Sequence, residues 1–440
     1  MTRIASIALA LIAVAAAAQQ AEGPVYTSIP GESIEDHDAR MEWFREAKLG
    51  VFIFWGPCSI EEGEIGWSRF GPRPGMQDAA GGVPLEVYDN LYKDFNPTEF
   101  DADHWADVVA ASGARYVIFL TKHHDGFAMF DSALTEHKVT NSPIGRDVTA
   151  ELTKALRKRD IRIVWYYSQP DWHHPDFLTE NHDQYIEYLH GQIRELCTNY
   201  GKIDGIWFDG LYGTAKDWDA ERLFAMIHEL QPGVIINNRA GIPGDFVTPE
   251  QTIGRYNIDL TWESCITMGV GWSFRGADKP VKSLGECLHI LIRCAGGGGN
   301  LALDTGPMPD GRIEPRHEEN YRAMGEWLGM YGESIYATTG GPYKPAQWGV
   351  STRRGNMAYL HVLEWPDGDL ELPDIGAGVV SVKALTGGTP GVTQADDILT
   401  VALAAEDRDE TDTIIALELD RPAIELDPIS LMYRDSLAFD

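Results

Sequence analysis

Between residues 49 and 239 the chain alternates short, almost unbroken apolar runs with longer stretches whose apolar positions recur every three or four residues. The runs at 49–54, 115–120, 161–166, 203–208 and 234–237 are rich in Val, Ile, Phe, Tyr and Trp. Such runs predict strands covered on both faces. The stretches 101–112, which opens at an Asp cap, 149–159, 183–200 and 220–230 carry helical periodicity. Strands alternating with helices at this spacing predict a parallel sheet. The number of repeats, with polar residues gathered at each strand's C-terminal end, predicts an α/β fold of the closed (β/α) TIM-like barrel type rather than an open sheet. Residues 61–83 are Gly- and Pro-rich without a period and are expected to form a long loop after the first strand. Past Asp245 the alternation blurs. Residues 284–293 read as a helix, 300–304 as a late strand and 316–331 as the last barrel helix.

After Gly340-Gly341-Pro342 the texture changes to short β-prone runs separated by turn residues, at 357–363, 379–384, 398–403 and 413–419. These predict a small C-terminal all-β sandwich domain. The expected organisation is therefore a catalytic barrel over 25–335 and a β-sandwich over 342–440, the latter packing on the barrel or touching glycan weakly. Residues 1–18 have a different character: Arg3, a short apolar core and an alanine run to Ala18 describe a signal peptide. The apolar core falls short of the ~20 residues a spanning helix needs, and no cysteine follows it for a lipid anchor. A secreted or periplasmic protein, with no membrane association after cleavage, is the expectation.

Composition narrows the partners. A chain of 440 residues exceeds the ~250–300 at which single cores stop growing. Its formal net charge of −31 disfavours nucleic acid and anionic membranes, which are bound through an excess of Lys and Arg. The five cysteines, Cys58, Cys197, Cys265, Cys287 and Cys294, include no C-x-x-C pair and read as small buried apolar residues. Nothing in the composition speaks to oligomeric state.

The strand ends collect the chemistry: Lys122, His123 and His124, Tyr166 and Tyr167, Trp207, Asp209, Asn237, Asn238 and Arg239, with Trp172, His173 and His174 just downstream of the third strand. Aromatic faces pack against sugar rings while His, Asn and Arg donate to hydroxyl groups. Asp209 follows the apolar run at 203–208 and precedes a glycine, so its carboxylate leaves the sheet at the end that faces the active site of such barrels. Glycosidic cleavage needs a second acid. The candidates are Glu250, after Thr248-Pro249, and Glu263, in Trp262-Glu263-Ser264. A proton donor would need burial or a neighbouring charge to keep its proton. No H-E-x-x-H helix is present, and two adjacent histidines on a loop are expected to point in different directions, so no metal is expected. Gly296 to Gly299 lack the lysine or spacing of a phosphate loop, and no cofactor is implied.

Phe95-Asn96-Pro97, Thr121-Lys122-His123-His124-Asp125-Gly126-Phe127, Trp165-Tyr166-Tyr167-Ser168 and Ile206-Trp207-Phe208-Asp209-Gly210 resemble the α-L-fucosidases of glycoside hydrolase family 29. So do Asn237-Asn238-Arg239, Trp262-Glu263-Ser264-Cys265 and the segment from Gly299-Asn300-Leu301 to Gly311. The similarity runs from about Met41 to Tyr331, and the β-rich tail fits the family's C-terminal sandwich. The resemblance implies a retaining exo-hydrolase that releases terminal α-L-fucose from fucosylated oligosaccharides or polysaccharides. Asp209 matches the nucleophile; Glu250 is the better match for the acid/base, with Glu263 second. His123, His124, Tyr166, Trp207 and Arg239 match positions that contact the sugar, and Trp67 and Glu263 are further candidates for substrate binding. Two departures stand out. Phe54-Trp55-Gly56 replaces an expected histidine before Trp-Gly, removing a hydrogen-bond donor, and Gly66-Trp67 replaces an expected Glu-Trp pair, for which Glu64 is a possible substitute. The alternatives are therefore a glycosidase acting on a related sugar, such as an α-L-galactoside or a sulfated fucan end, and a catalytically silent carbohydrate-binding relative.

Overall fold

The computed structural model describes residues 27–76, 81–210 and 212–431; the expected signal peptide lies outside them. Seven strands form one parallel sheet: β1 (Leu49–Ile53), β2 (Tyr116–Lys122), β3 (Arg162–Tyr167), β4 (Gly205–Phe208), β5 (Ile235–Ile236), β6 (Glu263–Thr267) and β7 (Asn300–Thr305). Their order is β5-β4-β3-β2-β1-β7-β6. Helix α1 (Ile34–Ala47) precedes β1. Then come α2 (Ala102–Ala111), α3 (Val148–Arg157), α4 (His182–Asn199), α5 (Ala220–Leu230), α6 (Leu284–Gly297) and α7 (Pro315–Tyr331). The helices start where the side chains allow it. Asp101 accepts from the backbone N–H of Asp103 and His104, Asp147 from Ala150, and Ser283 and Glu286 cap α6 reciprocally.

The sheet's two edges are joined by a segment the sequence pattern does not announce. Asn238 N–H donates to the Phe246 carbonyl at 3.1 Å and Asp245 N–H to Ile236 at 2.6 Å. On the other side Glu263 N–H donates to Val247 at 3.0 Å, Cys265 N–H to Pro249 at 3.0 Å, and Gln251 N–H to Cys265 at 2.9 Å. Residues 245–251 thus stand where an eighth strand would, bridged in parallel to β5 and β6. Pro249 has no N–H to give, which keeps the pairing irregular. Asp245 anchors this segment: its buried carboxylate accepts from both Arg40 terminal nitrogens at 2.7 and 3.0 Å, from the Ser28 hydroxyl at 2.6 Å and from Ile236 N–H at 2.7 Å.

Residues paired across the parallel strands share a face, and one set points inward: Phe52, Tyr166 and Trp207 meet with ring centroids 5.4–5.8 Å apart. The stretch after β1 is more ordered than the period-free sequence suggests. A turn of 3-10 helix covers Pro57–Glu61, and Arg69–Phe70 pairs with Val83–Pro84. All five cysteines are buried free thiols.

The C-terminal region holds β8 (Gly349–Arg354), β9 (Met357–Val362), β10 (Leu370–Pro373), β11 (Val379–Ala384), β12 (Gly391–Ala395), β13 (Ile398–Ala402) and β14 (Thr413–Leu419). Thr339–Gly340, β8, β9, β14 and β11 make one antiparallel sheet, and β10, β13 and β12 a second. Leu360, Leu372, Val401 and Leu417 fill the space between them. Val350, Tyr359 and Ile414 instead join the barrel's apolar core, and Thr411 O meets the His289 ring of α6 at 2.6 Å. The first sheet therefore packs on the barrel with one face and on the second sheet with the other. Among the described residues no helix is long and apolar enough to cross a membrane.

Candidate active site

Asp209 leaves β4 at its C-terminal end, and both of its oxygens are engaged. Oδ1 accepts from Arg239 Nη1 at 3.0 Å; Oδ2 accepts from the Tyr166 hydroxyl at 2.7 Å and lies 3.6 Å from His124 Nε2. Arg239, from the end of β5, lies with its guanidinium carbon 4.5 Å from the centroid of the Trp207 ring. Its Nε donates to Thr248 Oγ1 at 2.8 Å, and Nη2 donates to the Thr248 carbonyl at 3.0 Å and to Glu250 Oε2 at 2.9 Å. One planar cation thus carries both carboxylates side by side, with Thr248 locking its fork. Burial alone would make Arg239 easier to deprotonate, but Asp209 and Glu250 carry its pKa above the ordinary value.

The two acids differ in access. The Asp209 side chain is 13% exposed and that of Glu250 44%. The burial expected of a proton donor is therefore not found at Glu250, which sits on the closing segment at the rim. Burial is found at Glu263 instead, but in the wrong place. Glu263 opens β6 deep inside the barrel, where Trp207 Nε1 donates to Oε1 at 3.1 Å and the Tyr116 hydroxyl makes a short contact with Oε2. Burial pushes its pKa up to about 7 against those two hydrogen bonds. The structure thus separates the two candidates: Glu250 shares Arg239 with Asp209, whereas Glu263 is sealed below and holds the indole of Trp207 by its N–H.

His123 and His124 do not diverge as two consecutive loop residues were expected to. The chain turns as it leaves β2, with Gly126 N–H donating to the His123 carbonyl at 3.1 Å. The two rings end with centroids 3.9 Å apart. His123 lies parallel to Tyr166 at 5.9 Å. Its Nδ1 is buried without a partner among the described residues, against the backbone of Gly66, where a Cβ would come within 2.7 Å of it. That approach, together with φ +66°, is what glycine permits in Gly66-Trp67. Burial lowers the pKa of both histidines well below the usual imidazole range; His124 adds to the effect at His123, and Lys122, Arg239 and Arg73 add to it at His124. His123, His124 and Asp209 can each offer one ligand atom, all within 4.8 Å of one another. The chain was expected to hold no metal; the three residues that could hold one share Asp209 with a guanidinium that competes for its charge.

Around this centre the wall is aromatic. Trp67 meets His124 edge-on at 5.8 Å and Trp172 at 5.3 Å, and Trp172 Nε1 donates to the Tyr212 hydroxyl at 3.0 Å. Phe54 packs on Phe52, Tyr166 and Trp272 at 4.7, 4.9 and 5.0 Å. Glu64 does not enter the site. Its carboxylate accepts from the backbone N–H of Trp272 and Ser273 at 3.0 and 3.2 Å and faces Arg275 at 3.4 Å, so it fixes the loop that carries Trp272.

Other strand-end residues turn out to support the site rather than line it. Lys122 is buried against Asp171 at 3.5 Å. Tyr167 donates to Gln192, and Asn237 exchanges two hydrogen bonds with the Phe208 backbone. His173 stacks on His137 and His174 packs on Tyr185 and Tyr188. Thr248, Trp272, Tyr212 and Ser168 were not singled out from the sequence. The first two lie past Asp245, where periodicity gives no register, and hydroxyl residues carry no signal until their partners are known.

Comparison with known proteins finds relatives in sequence and in fold. Residues 13–333 match the family model described as Alpha-L-fucosidase. The chain is 31% identical over 403 residues to plasma alpha-L-fucosidase of Homo sapiens, covering 81% of this chain and 84% of that protein. It is 31% identical over 365 residues to tissue alpha-L-fucosidase of Macaca fascicularis, covering 74% and 75%. Among solved structures, alpha-L-fucosidase isoenzyme 1 from Paenibacillus thiaminolyticus superposes with a TM-score of 0.80 at 33% identity, covering 87% of this chain and 99% of that one. A GH29 alpha-L-fucosidase from Bacteroides thetaiotaomicron, trapped as a covalent intermediate with 2-fluoro-fucosyl fluoride, superposes with a TM-score of 0.77 at 26% identity, covering 90% and 100%.

Proposed function

Because the chain belongs to the alpha-L-fucosidase family and is a glycoside hydrolase, we propose that it releases terminal α-L-fucose from fucosylated glycans by double displacement, with Asp209 as nucleophile and Glu250 as acid/base. The observation that carries this reading is the single guanidinium of Arg239 shared by an enclosed carboxylate and a rim carboxylate. In the first step an Asp209 oxygen attacks the anomeric carbon while Glu250, protonated, gives its proton to the glycosidic oxygen, and the aglycone leaves as an alcohol. In the second, Glu250 takes a proton from water, the water oxygen attacks the same carbon, and the bond to Asp209 breaks. The exposure difference suits these roles, since the leaving group must exit to solvent and the ester must be shielded from it. Tyr166 and Arg239 hold the attacking carboxylate, while His123, His124, Trp67 and Trp207 contribute the polar and aromatic groups that hold a sugar. The family relative trapped as a covalent intermediate supports the retaining course.

Labelling with 2-fluoro-fucosyl fluoride should place the sugar on the peptide containing Asp209; a label on any other residue overturns the assignment. Azide separates the two acids. With Asp209→Gly it should attack the sugar directly and give the inverted fucosyl azide; with Glu250→Ala it should intercept the ester and give the retained one.

Phe54 favours a second reading of the sugar's identity. Where the family offers a donor, this chain offers a ring packed on Trp272, and losing a donor relaxes discrimination among hydroxyl patterns. An aryl glycoside panel decides: faster release from an α-L-galactoside or a sulfated fucoside than from the plain fucoside would favour that reading. Export by the N-terminal 18 residues completes the proposal, and N-terminal sequencing of protein recovered outside the cytoplasm tests it.

A further inference from the structure

His124 makes two contacts through different ring nitrogens, and the first constrains the second. Nδ1 lies 2.5 Å from Ser168 Oγ. That oxygen also lies 2.8 Å from the carbonyl of Pro170, which can only accept. A serine hydroxyl carries one hydrogen. If it went to His124 Nδ1, two lone-pair oxygens would face each other at 2.8 Å. The arrangement that satisfies both contacts sends the serine hydrogen to Pro170 O and leaves Ser168 Oγ to accept from a protonated Nδ1. The backbone holds these groups in place: Ser168 N–H donates to the Lys122 carbonyl at 2.9 Å and Trp172 N–H to that of His124 at 2.7 Å. The Lys122 ammonium adds a hydrogen bond to Pro170 O at 3.1 Å. Ser168 is fully buried and His124 is 1% exposed, so bulk water has little access to the contact between Nδ1 and the serine oxygen.

We propose that Ser168 is a positioning residue: it fixes His124 as the Nδ1–H tautomer, so that the Nε2 lone pair and Asp209 Oδ2, 3.6 Å apart, form a pair of acceptors that one substrate hydroxyl enters by donating. Two acceptors side by side leave a place that only a donor fills favourably. Asp209 attacks the anomeric carbon, so the hydroxyl nearest its second oxygen is the one on the adjacent carbon, whose hydrogen bonds strengthen in the transition state. The inference rests on the proposed nucleophilic role of Asp209, whereas the tautomer of His124 does not depend on it.

Two measurements test the proposal. Long-range 15N–1H correlation spectra of histidine-labelled wild-type enzyme, with the His124 signal identified by its loss in His124→Gln, should show Nδ1 protonated and Nε2 bare. A wild-type signal protonated on Nε2 overturns the proposal without any further variant. Kinetically, the preference of wild type for an aryl fucoside over its 2-deoxy counterpart should shrink at least tenfold in Ser168→Ala. kcat/KM on the fucoside should fall about 10- to 100-fold, and Ser168→Thr, which keeps the hydroxyl, should restore the preference. A merely structural role would slow both substrates alike, and an unchanged preference overturns the proposal. Should wild type turn over no fucoside at all, the proposed function fails, and the spectrum alone decides the tautomer.

Discussion

Gly210 follows Asp209 where the backbones leaving β4 and β5 touch: a Cβ built on it would lie 2.1 Å from the Arg239 carbonyl oxygen. The contact is with backbone, so it cannot be relieved by a side-chain rotation. Gly210→Ala must push the two strand ends apart, and with them Asp209 from the guanidinium that orients it. We expect kcat/KM on an aryl fucoside to fall about 100-fold, because displacements of an ångström at a reacting group cost that much, while the secondary structure read by circular dichroism is retained. Full activity in this variant would show that the close approach is dispensable. At this scale the sequence was informative about residue types: an acid-glycine pair ending an apolar run marks Asp209 without a structure. It was silent about partners. Glu250 and Glu263 look alike as isolated acids, and only burial, with Trp207 and Tyr116 taking both oxygens of Glu263, separates them.

Among the elements, the segment 245–251 has the largest consequence and the weakest signature. It is short, contains Pro249, and pairs with β5 on one side and β6 on the other through scattered rather than continuous bonds. Neither an apolar run nor an alternation betrays it. Yet it closes the ring and carries both Thr248 and Glu250 to Arg239. Its fixed point is Asp245. Replacing Asp245 by Ala removes one of the two carboxylates on the buried Arg40 guanidinium, leaving Glu32 at 2.6 Å, and frees the Ser28 and Ile236 donors. Removing one partner of a buried pair costs about 3–5 kcal/mol when the charge left behind is uncompensated, and with Glu32 still on Arg40 the loss should lie at the lower end of that range. Chemical denaturation of Asp245→Ala should show a loss of that order, and activity should fall further than the unfolded fraction explains, because Glu250 loses its support. Activity that tracks the folded fraction alone would mean that the segment keeps its place without Asp245.

At the scale of the whole molecule, buried acids set how stability responds to pH. Glu263, with a pKa pushed from the ordinary 4.5 to about 7, keeps a proton in the folded protein that the unfolded chain releases. At this group the folded state therefore binds more protons between pH 4.5 and 7. The contribution of Glu263 to stability falls as pH rises across that window, by at most roughly 1.4 kcal/mol per pH unit, and levels above 7. The buried histidines of lowered pKa, His123 and His124 among them, act in the opposite sense. Asp304, buried on β7 with neither oxygen partnered among the described residues, is shifted in the same direction by burial and by Glu64. In Glu263→Gln the stability relative to wild type should rise from pH 4.5 to 7 and stay constant above. Urea midpoints across the range check this, and parallel pH profiles for the two proteins would refute it. The same scale holds the net charge of −31, which leaves the cationic side of the site to a few placed groups, Arg239 foremost.

Periodicity and strand-end chemistry determined, from the sequence alone, a parallel barrel, a β-rich tail and a cleft of histidines, aromatics and one marked carboxylate. Those features repeat locally along the chain, and local repetition is legible without knowing what touches what. Tertiary structure alone decided which acid shares Arg239 with Asp209, how the barrel closes and that Glu64 holds a loop. It also decided that two consecutive histidines converge on one cavity. Each of these depends on groups brought together from distant parts of the chain or on a turn that breaks strand alternation, and neither the burial of a carboxyl group nor the choice of its hydrogen-bond partner is written in the spacing of residues.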